Sequence, residues 1–316
     1  MSSLELPVRV GVALGAGSAA AMAEIGALEV LVDAGIPVHC VAGTSAGAIV
    51  GAAFAGGRVS ALRERLEELT RRRVLRLFDL AWPWEGFLRG RRALEFIGPH
   101  LGATIEELPL PFAAVATDLR SGEEVLLRRG PVFDAVRASI AIPGIFTPWR
   151  VDGRLLVDGG LVDPVPVSAA RALGAEFVIA LNVLPLREEH RVTRSMYEYL
   201  RWIRADHDES VEPVSDARAI EDDLGLMEVV WRASRILASQ VASNRLREDP
   251  PGWLLQIAVP EVGMFDVHRT KELSDLGRRC AQQALPGLRK ALERAVPLRR
   301  RLRDWSHWPG GLLRDR

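Results

Sequence analysis

Two strand–glycine-loop–helix units within the first 55 residues constrain this chain more than any other feature. Residues 8–14 form a short, β-branched apolar run. Gly15–Ala16–Gly17–Ser18 follows, and then residues 18–34 carry Ile25, Leu28, Leu31 and Val32 at helical spacing, ending at Gly35. Residues 38–42 form a second apolar run, followed by Gly43–Thr44–Ser45–Ala46–Gly47 and a small-residue helix over residues 46–55. Neither strand alternates polar and apolar residues. Strands of that kind belong to a parallel sheet covered by helices on both faces.

Later segments extend the pattern. A charged helix is expected near residues 60–73, strands at 112–117 and 124–127, and a hairpin turn at Asp152–Gly153. A helix with Pro164 and Pro166 in its first turn is expected over 162–173, and a further strand over 177–183. Residues 206–223 are acidic with few apolar side chains and read as a mobile connection. Beyond them come a helix at 224–246, a strand at 253–259 and a helix at 272–292.

The 41 basic and 41 acidic residues balance, which gives no electrostatic footprint for a nucleic-acid partner. Cys40 and Cys280 lack metal-ligand or redox spacing and fit a reduced pair, with a single bridge left open. Residues 1–7 lack a basic start followed by an apolar stretch, so no signal peptide is expected. The uncharged stretch 36–57 is better explained by a buried strand and helix than by a membrane span, because it holds Pro37, His39 and several glycines.

The chemistry centres on Ser45. A G-x-S-x-G directly after a strand and directly before a helix is the context of a nucleophile elbow. Gly43 and Gly47 let the backbones approach, and the helix N-terminus favours negative charge developing at the serine. A glycine-lined turn with a serine cap is the plainer alternative. Gly15, Ala16, Gly17 and Ser18 offer backbone N–H donors for an oxyanion. A dinucleotide-binding loop is the alternative there, although Ala20 replaces its third glycine. Asp158–Gly159–Gly160 closes a strand and leaves room beside the aspartate, with Asp152 and Asp118 as rivals that look like turn residues. For a histidine-dependent site, His268 is the one candidate near a folded strand end.

Taken together, residues 13–34, 41–48, 138–146 and 157–166 resemble the patatin-like phospholipases, and more narrowly the bacterial branch related to neuropathy target esterase. The resemblance is clear over residues 8–185 and looser over 253–285, and it implies a three-layer α/β/α fold with a mostly parallel central sheet; the domain is expected to span residues 1–285, followed by a tail over 286–316 that is basic and contains tryptophan. It implies a Ser–Asp dyad of Ser45 and Asp158 without histidine, an oxyanion hole at Gly15–Ser18, and no metal or cofactor. It implies hydrolysis of acyl esters of phospholipids, lysophospholipids or simpler lipids. The sequence departs from the family pattern at Ala20 and Ala21, where the family carries Arg–Gly, and at Glu24, where it carries histidine. A weakly active or non-catalytic member that binds lipid or a partner protein is therefore the alternative function.

Two segments suit a lipid interface. One is the aromatic loop at residues 82–88, and the other is the tail, which interleaves basic residues with Trp305 and Trp308. A helix end packing its tryptophans on the domain explains the tail as well. The expected location is cytoplasmic, with peripheral membrane contact as the alternative.

Overall fold

A computed structural model describes residues 8–77, 88–185, 226–259 and 262–295. The acidic connection at 206–223, most of the aromatic loop at 82–88 and the tail beyond residue 295 lie outside the described residues.

The core is one mixed sheet in the order β5-β6-β3-β2-β1-β7-β8, with β4 also paired to β3. The strands are β1 (Val10–Leu14), β2 (Cys40–Thr44), β3 (Phe112–Asp118), β4 (Glu124–Leu127), β5 (Trp149–Val151), β6 (Arg154–Asp158), β7 (Phe177–Asn182) and β8 (Trp253–Gln256). β3, β2, β1, β7 and β8 run parallel, and β4, β6 and β5 add antiparallel pairs beyond β3. Helices cover both faces, as the two buried clusters either side of the sheet require. The fold is thus the three-layer α/β/α arrangement with a mostly parallel sheet.

Nine helices carry the flanking layers among the described residues: α1 (Met22–Asp33), α2 (Ala46–Ala55), α3 (Val59–Glu67), α4 (Arg71–Leu77), α5 (Arg91–Ile97), α6 (Val132–Ser139), α7 (Val167–Ala172), α8 (Leu226–Glu248) and α9 (Thr270–Ala295). α1 and α9 pack so closely that a Cβ on Gly26 or Gly277 would overlap the backbone of the other helix. Arg278 of α9 also pairs with Glu29 of α1.

Several element boundaries differ from the sequence expectation, each for a local reason. The helix expected at 60–73 is two helices, because Thr70 breaks the run and its hydroxyl caps the Arg73 N–H at 3.3 Å. The helix expected at 162–173 begins only at Val167, since a proline disfavours helical backbone in the residue before it and Pro164 and Pro166 do so twice. The late helix, expected over 272–292, spans Thr270–Ala295, with Leu288 and Leu292 buried. Cys40 and Cys280 are both free thiols. Among the described residues no helix is long and apolar enough to cross a membrane.

Candidate active site

Ser45 and Asp158 meet because β3 pairs with both of their strands. Thr44, the last residue of β2, lies opposite Val115, while Asp158, the last residue of β6, lies opposite Ala116. One step along β3 therefore brings together two residues 113 positions apart. The Ser45 hydroxyl donates to Asp158 Oδ2 at 2.6 Å. Both residues are nearly enclosed, at 4% and 5% exposure. The other Asp158 oxygen, Oδ1, accepts the Gly160 N–H at 2.7 Å. The Thr117 hydroxyl donates to the Asp158 carbonyl at 2.8 Å, which fixes the strand end.

The turn at Ser45 is strained. Its backbone has φ 56° and ψ −126°, in the left-handed half of conformational space that side chains other than hydrogen disfavour. The two flanking glycines make the turn sterically accessible. A Cβ on Gly43 would come within 2.4 Å of the Gly47 carbonyl, and one on Gly47 within 2.5 Å of the Leu14 carbonyl. Two hydroxyl side chains, those of Ser139 and Thr44, hold the elbow. The Ser45 N–H donates to Ser139 Oγ at 2.8 Å, and the Ser139 hydroxyl donates to the Val115 carbonyl at 2.6 Å. The Thr44 hydroxyl donates to the Asp163 carbonyl at 2.8 Å.

Burial sets the charge state of the aspartate. Removal from water raises the Asp158 carboxyl to about 6, and the hydrogen bonds from Ser45 and Gly160, which favour the anion, offset only part of that rise. Glu24 is fully buried in α1 and is held well above the usual carboxylate range by desolvation. Its Oε1 accepts the Gly15 N–H at 2.8 Å, and Oε2 has no partner among the described residues.

The glycine loop divides into two parts. The Gly15 N–H is shared between Glu24 and the Leu181 carbonyl, and the Ala16 N–H donates to the Pro164 carbonyl. Gly17 and Ser18 have no acceptor for their N–H groups among the described residues, and both line the cavity that holds Ser45 and Asp158. Ala20 lines the same cavity.

Of the rival aspartates, Asp152 sits in the β5–β6 hairpin at φ 47°, and Asp118 accepts the Arg120 N–H in a turn. No histidine lines either cavity at Ser45 among the described residues, and His268 is in a 3₁₀ turn before α9. No cluster of potential metal ligands is present among the described residues. Ser139 falls within the 138–146 segment that carries the family resemblance, but its sequence assigns it no role. A serine at the end of a helix leaves no signal of its own, and only the fold brings it to Ser45.

A serine on a strand–helix elbow, hydrogen-bonded to a strand-end aspartate on a three-layer α/β/α sheet, defines the class of site. The family model described as patatin-like phospholipase matches residues 12–171, and the chain belongs to that family. It is 32% identical to an uncharacterized NTE family protein of Mycobacterium tuberculosis, over 88% of this chain and 91% of the relative. It is 33% identical to the neuropathy target esterase sws of Drosophila melanogaster, over 55% of this chain and 13% of that protein. It is also 35% identical to patatin-like phospholipase domain-containing protein 7 of Rattus norvegicus, over 55% of this chain and 13% of that protein.

Proposed function

We propose that the chain is a serine acyl hydrolase that cleaves carboxylic esters of lipids through Ser45 and Asp158. The observation that carries this reading is the 2.6 Å hydrogen bond between the two side chains, in a site walled mostly by apolar residues. Membership of the patatin-like phospholipase family supports it.

In the proposed sequence, Asp158 Oδ2 accepts the Ser45 proton as Oγ attacks the ester carbonyl carbon. The N–H groups of Gly17 and Ser18 are the donors that remain to hold the resulting oxyanion. Collapse of the tetrahedral species breaks the bond to the alcohol oxygen, which leaves with the proton held on Asp158. Water then attacks the acyl-serine, Asp158 accepts its proton, and collapse returns that proton to Ser45 as the carboxylic acid departs. An aspartate raised to about 6 is a better base than one at the usual carboxylate value, yet it is still ionised at neutral pH.

Ala20 and Glu24 are the features that favour a non-catalytic reading in which the crevice binds lipid or a partner protein: Ala20 lines the cavity that holds Ser45 where the resemblance leads one to expect arginine, and Glu24 stands where it leads one to expect histidine. Turnover of a short-chain p-nitrophenyl ester separates the two readings. Hydrolysis that disappears in Ser45→Ala and Asp158→Asn, together with fluorophosphonate labelling of Ser45, supports the hydrolase. Folded protein that neither turns over ester nor labels overturns it.

A further inference from the structure

Ser45 opens onto two cavities, and their walls differ in kind. The first, about 660 Å³ including its mouth, holds Asp158, Gly17 and Gly160 and is closed by Ser234 and Arg235 of α8. The second, about 860 Å³ including its mouth, is lined among the described residues by apolar side chains apart from Ser18 and Ser45, with no charged residue among them. Ser18, Ser45, Ile142 and Met264 belong to both cavities and form the partition between them.

We infer that the second cavity binds the acyl chain of the substrate and the first receives its alcohol half. This rests on the hydrolase reading given above and deepens it. The assignment follows from where the proton must go. The departing alcohol oxygen takes its proton from Asp158, so it lies on the Asp158 side of Ser45, which is the first cavity. The attacking water of the second step needs the same carboxylate and enters the space that the alcohol vacates. The acyl carbon's remaining substituent is then directed across the partition into the apolar cavity.

The walls fit that division. Removing a hydrocarbon chain from water favours a cavity without charges or hydrogen-bonding groups. The far wall of the second cavity is built by α3, α4 and α5, the helical segment between α2 and β3, through residues such as Leu66, Val74, Ala93 and Phe96. That segment sets the acyl length, whereas α8 shapes the alcohol side. Ala93 on α5 and Ile49 on α2 are only partly buried because they border the cavity, so a larger side chain at either grows into free space.

Two measurements test the inference. The first is the ratio of kcat/KM for p-nitrophenyl laurate to that for the butyrate. The second is binding of a fluorescent long-chain fatty acid to the Ser45→Ala protein, which needs no turnover. Ala93→Phe and Ile49→Phe, each checked for folding by circular dichroism, are expected to lower the ratio about tenfold or more and to weaken fatty-acid binding comparably. Ala238→Phe, in the first cavity, is expected to change neither by more than about twofold. Absence of fatty-acid binding overturns the inference, as does a loss that follows Ala238→Phe in place of Ala93→Phe and Ile49→Phe. Ser45-dependent turnover with unaltered ratios in Ala93→Phe and Ile49→Phe overturns it while leaving the hydrolase reading intact. Fatty-acid binding blocked by those two variants in a protein without turnover supports the cavity assignment and removes the hydrolase reading instead.

Discussion

The Glu24 carboxyl accepts the Gly15 backbone N–H at 2.8 Å and so ties the first turn of α1 to the start of the glycine loop. A carboxyl buried this fully prefers to be neutral, and the neutral acid still accepts through Oε1. Glutamine preserves that acceptor without any ionisation. Glu24→Gln is therefore expected to keep ester turnover within about threefold, while Glu24→Ala releases the loop and lowers kcat about tenfold or more. Steady-state kinetics on a short-chain ester reads the difference. A kcat for Glu24→Ala equal to that of Glu24→Gln would sink this role for the side chain.

Ser139 acts on the elbow from behind. Its hydroxyl accepts the Ser45 N–H and donates to the Val115 carbonyl, so it links the Ser45 backbone to β3. Ser139→Ala strands a buried N–H and a buried carbonyl, which costs about 1–3 kcal/mol for each group left unpaired. We expect a lowered urea midpoint and a drop in kcat larger than any change in KM. Ser139→Thr, which retains the hydroxyl, is the control for the hydrogen bond.

Two buried aspartates give the protein a pH signature. Burial raises Asp158 to about 6. It raises Asp163 to about 7, helped by the negative charge of Glu124. A raised carboxyl binds its proton more tightly in the folded chain than in the unfolded one. Its stabilising protonation is complete below the unfolded value near 4 and is lost as pH rises through the folded value. Each site should therefore cost stability on the order of 1–3 kcal/mol between pH 5 and pH 8. Asp158→Asn is expected to raise the melting temperature at pH 8 and to do little at pH 4. Activity moves the other way: kcat should rise with pH through about 6, as Asp158 becomes the carboxylate that accepts the serine proton. A pH-independent kcat between 5 and 8 would contradict the assignment of Asp158 as the base.

The strain at Ser45 gives a separate test. A serine at φ 56° stores on the order of 1–3 kcal/mol, and glycine adopts the same backbone without that cost. Alanine keeps the strain and also loses the hydrogen bond to Asp158. Both variants should be inactive, and Ser45→Gly should melt higher than Ser45→Ala. The reverse order in calorimetry would show that the elbow is not strained in solution.

The parts of the site legible in the sequence were those with a local signature. Ser45, Gly43 and Gly47 are fixed by a strand, a turn and a helix that are contiguous in the chain. Asp158 could be preferred over Asp152 and Asp118 because only it ends a strand with two glycines behind it. What stayed hidden depends on long-range register. The 138–146 segment carries the family resemblance, but no local pattern tells that the Ser139 hydroxyl will lie behind residue 45, since that contact requires α6 to pack under β3. The division of labour in the glycine loop was equally hidden, because Leu181 and Pro164, which occupy the N–H groups of Gly15 and Ala16, arrive from beyond residue 160. α5 and the apolar cavity were also missed: the helix spans only 7 residues, too few for its periodicity to stand out.

Arg137 holds the wall of that cavity, and its replacement should be costly. The side chain is fully buried, with Nε donating to the Arg89 carbonyl at 2.8 Å and Nη2 to the Thr147 carbonyl at 2.9 Å and hydroxyl at 2.8 Å. The guanidinium also lies 5.6 Å from the Phe146 ring and 5.1 Å from the Trp149 ring. It thus joins the strand-like contact between Leu88 and Phe146 to α6, and Phe146 lines the apolar cavity. A planar fork reaches both carbonyls at once, whereas a lysine ammonium is a point donor on a flexible stem and cannot span them. Arg137→Lys is expected to lower stability by about 2–4 kcal/mol in urea unfolding, because it leaves buried acceptors without donors. The same change should loosen Phe146 and blunt discrimination between long and short acyl esters, whereas a stability loss without any change in chain-length preference would mean that Arg137 supports the fold but not the cavity wall.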